Sequence, residues 1–176
     1  MELTRTPKRN LLDIRLPWQT WWRRRAAGSP LADLVLNSGW KPGRAIPAGG
    51  PLMISMTQYT IKHPTDIPAI WRASERLGDQ LAQIEGAVGV LTYFRPARRQ
   101  VGSLSIWADD KGLAEFMSLP DHVQIMRRYR PRGLPIRSAQ WWSEELDIGA
   151  ALMESLRMLD TDQDRRRVRA HRPSES

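Results

Sequence analysis

His122 is the side chain in this sequence best suited to do chemistry. A neutral imidazole can take a proton near pH 7, or serve as an axial ligand to haem iron. Met126 follows at i+4 on the same helical face, where a soft thioether can shape an apolar pocket. Arg127, Arg128, Arg130 and Arg132 crowd the same stretch and could hold a carboxylate, haem propionates included. Trp107, Phe116, Tyr93 and Tyr59 could wall a cavity for a flat apolar ligand. Each has a plainer reading. His122 can pack against Trp107 and hydrogen-bond a backbone carbonyl, the aromatic residues can be ordinary core, and the arginines can be a solvated helix end. Residue type and spacing leave both readings open.

Other chemistries find no support. There is no cysteine, so disulfides, thiolate ligands and a Cys nucleophile are excluded. The three histidines, His63, His122 and His171, are too dispersed for a zinc site. No phosphate-binding glycine loop and no Gly-x-Ser-x-Gly elbow occurs. The net charge of +8 is uneven. Lys and Arg outnumber Asp and Glu by 9 to 3 in residues 1–50 and by 12 to 8 in 51–142, but fall behind at 6 to 8 in 143–176. Trp18, Trp21 and Trp22 fall at i, i+3, i+4 just before Arg23, Arg24 and Arg25. That segment suits contact with a membrane surface, or packing onto the folded domain, with the packing reading ahead. Nucleic acid ranks below both, because no recognition motif accompanies it. With no signal peptide and no apolar run of spanning length, a cytoplasmic location is expected.

The elements that must position these residues are legible from residue 51 onward. Gly39, Pro42, Gly43, Pro47, Gly49, Gly50 and Pro51 read as a linker that closes a basic, Trp-rich extension over 1–50. Residues 52–61 are rich in β-formers and predict a strand. Ile67, Ile70, Ser74, Leu77, Leu81 and Ile84 recur at helical spacing up to Gly86. Residues 87–94 and 101–107 predict a hairpin. Asp109 and Asp110 open a helix that Pro120 breaks and Asp121 restarts. Residues 136–142 predict the last strand. Residues 146–159 predict a further helix, with a disordered, charge-dense tail over 161–176. Thus 51–142 is expected to be an α+β, ferredoxin-like β-α-β-β-α-β domain, with 143–160 as a C-terminal helix. Both parities of the strands carry apolar residues, so the sheet face away from the helices must also be hidden. A homodimer packed sheet to sheet would do that.

Ser103–Trp107, followed by Asp109, Asp110, Leu113 and Phe116, resembles the strand, Trp, acidic cap and Leu-x-x-Phe helix of the dimeric α+β barrel superfamily. This superfamily includes antibiotic-biosynthesis-monooxygenase-like and haem-degrading proteins. His122 to Arg128, just after the helix break, is similar to a His-x-x-x-Met/Val-Arg segment of its spheroidene monooxygenase-like branch. A final strand ending in Trp141 and Trp142 completes the resemblance, which covers about 52–142. It implies a dimeric barrel with a cavity between sheet and helices in each subunit. It also implies a small monooxygenase-like activity on a hydrophobic or aromatic metabolite, of polyketide or isoprenoid type. His122 would be the base or, if haem is the cofactor, its iron ligand. Met126, Arg127 and Arg130 would complete a cofactor site, and Trp107, Phe116, Tyr93 and Tyr59 would contact substrate. The alternative is a non-catalytic dimeric binding or interaction module docking through its Trp-rich segment.

Overall fold

The computed structural model describes residues 36–47 and 49–170. Five antiparallel strands form one sheet, in the order β1-β3-β4-β2-β5. They are β1 (Leu36–Pro42), β2 (Leu52–Thr60), β3 (Ala87–Arg95), β4 (Gln100–Trp107) and β5 (Arg137–Ser143). Among the described residues the α-helices are α1 (Ile67–Leu81), α2 (Asp110–Ser118), α3 (Pro120–Tyr129) and α4 (Ile148–Ala170). Setting β1 and α4 aside gives the ferredoxin-like β-α-β-β-α-β order, with the second helix broken in two at Leu119.

Strand alternation creates two cores. On β2, the side chains of Leu52, Ile54 and Met56 point to one face and Met53, Ser55, Thr57 and Tyr59 to the other. The first face joins Leu91, Leu104 and Ile106 in a core closed by Ala151, Leu152, Leu156 and Leu159 of α4. The second lies under α1, α2 and α3. The molecule therefore has three layers, α1–α3, sheet and α4. Each central strand is buried on both sides, which is why its apolar residues occupy both parities.

Three expectations are corrected here. Residues 36–42, read as part of an extension and linker, are the fifth strand, pairing with β3 across a register shift at Asn37/Trp40. The Gly and Pro content of this stretch hides a strand because β1 is an edge, with one side free of ladder bonds. The helix after the last strand runs to Ala170, so residues 161–170 are helical rather than a disordered tail. The third correction concerns the sheet face for which a partner subunit was invoked. α4 of the same chain covers it, and pairing through that face would require α4 to move away. Trp18, Trp21, Trp22 and His171 lie outside the described residues. Among the described residues no helix is long and apolar enough to cross a membrane.

Polar contacts pin the layers. The Arg95 guanidinium, fully buried, donates to both Asp160 carboxylate oxygens on α4, at 3.1 and 3.2 Å, and to Gln100 Oε1 at 3.2 Å. Arg98 reaches the same carboxylate at 3.2 Å. Arg137 Nη1 donates to the Leu159 carbonyl. On the other face, Arg132 forms a two-point pair with Asp66 at 3.1 and 2.8 Å, tying the turn after α3 to the start of α1. Tyr59 Oη donates to the Tyr129 carbonyl at 2.9 Å. Its ring lies so close to Gly133 that a Cβ there would sit 2.1 Å from Cε2. Glycine is needed at 133 for this approach, not for an unusual φ.

Candidate functional site

A cavity of about 260 Å³ lies between the sheet and helices α1–α3. Its floor is the sheet. Thr92, Ser103, Thr57 and Ser138 sit at one register level on β3, β4, β2 and β5, and Val90, Ser105, Ser55 and Gln140 at the next. Its roof is apolar, built from Ile70, Leu77 and Leu81 of α1, Leu113 and Phe116 of α2, and Ile125 and Met126 of α3. The hydrophobic faces of α1 and α3 supply this roof because their apolar residues recur at 3–4 spacing.

His122 lines the cavity in the first turn of α3. The break that puts it there has a local cause. Asp109 caps α2 by accepting from the Gly112 N–H at 2.9 Å, and Leu119 is extended, with φ −54° and ψ 134°. Pro120 then starts α3, where a missing N–H costs nothing. Gln80 on α1 donates to Asp121 at 2.8 Å and holds α3 alongside. Behind His122 an aromatic chain sets its ring. Trp107, fully buried, donates Nε1–H to Ser105 Oγ at 2.9 Å and meets Phe116 at 5.8 Å between centroids. Phe116 in turn meets the imidazole at 5.0 Å, tilted by 56°.

The imidazole Nδ1 lies 3.2 Å from the Met117 carbonyl oxygen. A carbonyl can only accept, so Nδ1 carries the proton and Nε2 of the neutral ring is bare. Burial disfavours the imidazolium and, outweighing the Met117 hydrogen bond, holds its pKa below the ordinary histidine value. A neutral ring with an unprotonated Nε2 beside an apolar cavity can accept a proton or ligate a metal. The plain reading of His122 is thus also met, since it does bond a backbone carbonyl; its ring neighbour is Phe116, with Trp107 one step behind.

The other predicted residues divide. Phe116, Tyr59, Met126 and Arg130 line the cavity with His122. Tyr59 Oη is already committed to the Tyr129 carbonyl, and burial raises its pKa. Trp107 supports Phe116 from beneath and does not itself line the cavity. Arg127 is exposed and off the lining, and Arg128 lies over the Tyr129 ring at 5.4 Å. Tyr93 is on the wrong face. It is buried toward α4 and donates to Gln58 Oε1 at 3.0 Å, and burial pushes its phenol above the normal range. Strand parity is the cause: Thr92, its neighbour, takes the cavity side. Sequence reasoning missed the hydroxyl floor. The signal was the alternation Ser55, Thr57, Tyr59 and Ser103, Ser105, Trp107, read there only as strand.

A porphyrin is a poor fit. His122 offers a suitable ligand atom, but a cavity of about 260 Å³ is below the ~300–1,000 Å³ typical of pockets for drug-sized ligands, and haem is larger than these. Of the arginines assigned to propionates, Arg130 alone lines the cavity. Among the described residues no cluster of three or more His, Asp or Glu could hold a metal ion.

No protein-family profile matches the chain, and no curated protein does. Solved structures do. A Fusobacterium nucleatum protein, provisionally described as a monooxygenase, superposes with a TM-score of 0.53 at 10% identity. The match covers 64% of this chain and 51% of that one, so this chain spans about half the length of that relative. A heme-degrading enzyme from Listeria monocytogenes superposes with a TM-score of 0.50 at 10% identity, over 63% of this chain and 71% of that one. At this identity the two likenesses show a shared α+β fold.

Proposed function

We propose that a chain with this fold and this cavity is a small monooxygenase-like protein that binds a hydrophobic aromatic metabolite between the sheet and α1–α3. His122 is its general base. The observation that carries the reading is the placement of His122 on the cavity with Nδ1 bonded to the Met117 carbonyl and Nε2 bare. A base in this position removes a proton from a phenol or an activated CH2, giving an electron-rich anion that can react with dioxygen. When a CH2 is oxidised to a carbonyl, one oxygen atom of O2 enters the product. The other leaves as water with both hydrogens, and no external reductant is required. Phe116 and Met126 pack the ring, and Arg130 suits an anionic substituent. Haem has no part in this reading.

A non-catalytic module would more naturally fill its core at His122. The open cavity beside that residue favours a ligand. The test is dioxygen uptake with a panel of phenols bearing an activated CH2. Uptake should fall by roughly 10²–10⁴-fold in His122→Ala while ligand binding persists. Equal uptake by the variant would remove His122 from the chemistry. Haemin titration is the companion measurement: a bound Soret band lost in His122→Ala would restore haem.

A further inference from the structure

The two edges of the sheet are built differently. β1 carries features that keep a strand edge from pairing further: a bulge between Asn37 and Trp40, then Lys41, and Pro42 at its end. β5 has none of them. Its seven residues, RSAQWWS, include no Pro, Gly or Lys, and they pair with β2 in unbroken register. Among the described residues no strand lies beyond β5, so every second N–H and C=O points away from β2 along an open edge. The register sets Ser138, Gln140 and Trp142 beside Thr57, Ser55 and Met53, on the cavity side of the sheet. All three are exposed, Trp142 by 53%. Ser138 and Gln140 also line the cavity, so its wall at β5 is open. A flat, aromatic edge without protection invites another strand.

We propose that a second copy of this chain pairs along β5, antiparallel, about a two-fold axis at Gln140. In this arrangement the strand complements itself in size and in charge. With Gln140 opposite the partner's Gln140, all seven residues pair. Trp142 then faces Ser138 of the partner subunit, and Trp141 faces Ala139 of the partner subunit, so each indole meets a small side chain. Arg130 and Arg137 stand at the start of β5, while Glu144 and Glu145 follow its end. The two-fold runs each basic end beside the acidic end of the other copy. Leu134 and Leu146, 45% and 40% exposed, lie at these same two ends. A slip of one residue would turn the Trp142 face to the wrong side of the sheet, and a slip of two would leave strand residues unpaired. Opposed residues share a face, so the partner subunit's Trp142 stands on the cavity side beside Ser138, across the open wall. Resting on the reading that this cavity binds a ligand, an indole of the second subunit completes the site.

The test uses the full chain, which has no cysteine. Sedimentation at about 100 μM, a concentration suited to a small interface, should show about 40 kDa, twice the 20.2 kDa of one chain. Trp142→Lys, a change at an exposed position, should sediment as the monomer. Under mild oxidation Gln140→Cys should give a disulfide-linked dimer, because directly opposed Cβ atoms lie about 5 Å apart. Ser138→Cys alone should not, since it stands about 14 Å from the partner's Ser138, but it should link to Trp142→Cys when the two proteins are mixed. A native chain that stays monomeric overturns the inference, as does a Trp142→Lys chain that still dimerises. A dimer that Gln140→Cys fails to lock, or that Ser138→Cys alone locks as readily, has its axis elsewhere and overturns it too; these cysteine variants decide the matter if Trp142→Lys fails to fold. No arm uses a ligand, so failure here leaves the cavity reading to the dioxygen-uptake test, and failure there leaves this interface standing.

Discussion

Asp160→Asn is the sharpest probe of what holds the outer layer. The change keeps the shape of the side chain and removes one charge. Arg95, the guanidinium it faces, has no solvent exposure, whereas Asp160 retains 18%. Removing one partner of a buried ion pair costs about 3–5 kcal/mol, since the other charge stays buried. Two features reduce that here. The Asn oxygen can still accept one bond, and Gln100 Oε1 already receives Arg95 Nη1 at 3.2 Å. A loss of about 2–3 kcal/mol is expected. For a urea dependence of about 2 kcal/mol per molar, the midpoint should drop by about 1 M. Urea unfolding, followed by circular dichroism and by tryptophan fluorescence, measures it. Glu154→Gln breaks the exposed Glu154–Arg157 pair on the same helix and should leave the midpoint where it is. A double change, Arg95→Met with Asp160→Leu, should recover much of the lost stability. A midpoint for Asp160→Asn within about 0.2 M of the native value would show that this pair does not fasten α4.

Leu156→Ala, at a fully buried position between α4 and the sheet, should cost about 2–5 kcal/mol in the same assay. Gly133→Ala should destabilise by about 1–3 kcal/mol by driving a methyl into the Tyr59 ring, and Tyr59→Ala should relieve the clash, read as a non-additive double-mutant cycle. The pKa of His122 is lowered by folding, so between that lowered value and about 6.5 the unfolded chain binds more protons. Its contribution to stability is therefore present above about pH 6.5 and is lost as pH falls through the lowered value; His122→Gln should flatten that part of the urea-midpoint profile. For the same reason turnover should rise with pH with a midpoint below the ordinary histidine value, and a midpoint above about 6.5 would contradict a buried base.

The sequence made the ferredoxin-like order readable because each central element has a strong period and a clean stop. Pro120 marked the helix break to within one residue: the break falls at Leu119, and Pro120 itself opens the next helix. It also brought His122, Phe116, Met126 and Tyr59 to one site. What stayed hidden has physical reasons. Tyr93 and Thr92 differ by one position, and in a strand buried on both faces hydrophobicity does not say which side faces ligand. The edge strand β1 pairs on one side and so tolerates Gly39 and Pro42, which read as linker. Helix α4 carries a dense run of charge after Asp160, and a local count of apolar residues ends the predicted helix at 159, short of Ala170. For the same reason, the need to cover the second sheet face pointed to a second subunit when an element of the same chain was at hand.

That arrangement has a consequence in time. α4 follows all five described strands, so the ribosome delivers them before the element that seals them. Until it docks, Leu52, Ile54, Met56, Leu91, Leu104 and Ile106 form one continuous greasy surface. A nascent chain paused near residue 147, or a chain nicked in the exposed stretch 144–147, is a sticky species with its sheet already assembled. Quality control of this protein during synthesis therefore turns on α4 arriving promptly, and a holding chaperone would find its target in the interval before it does.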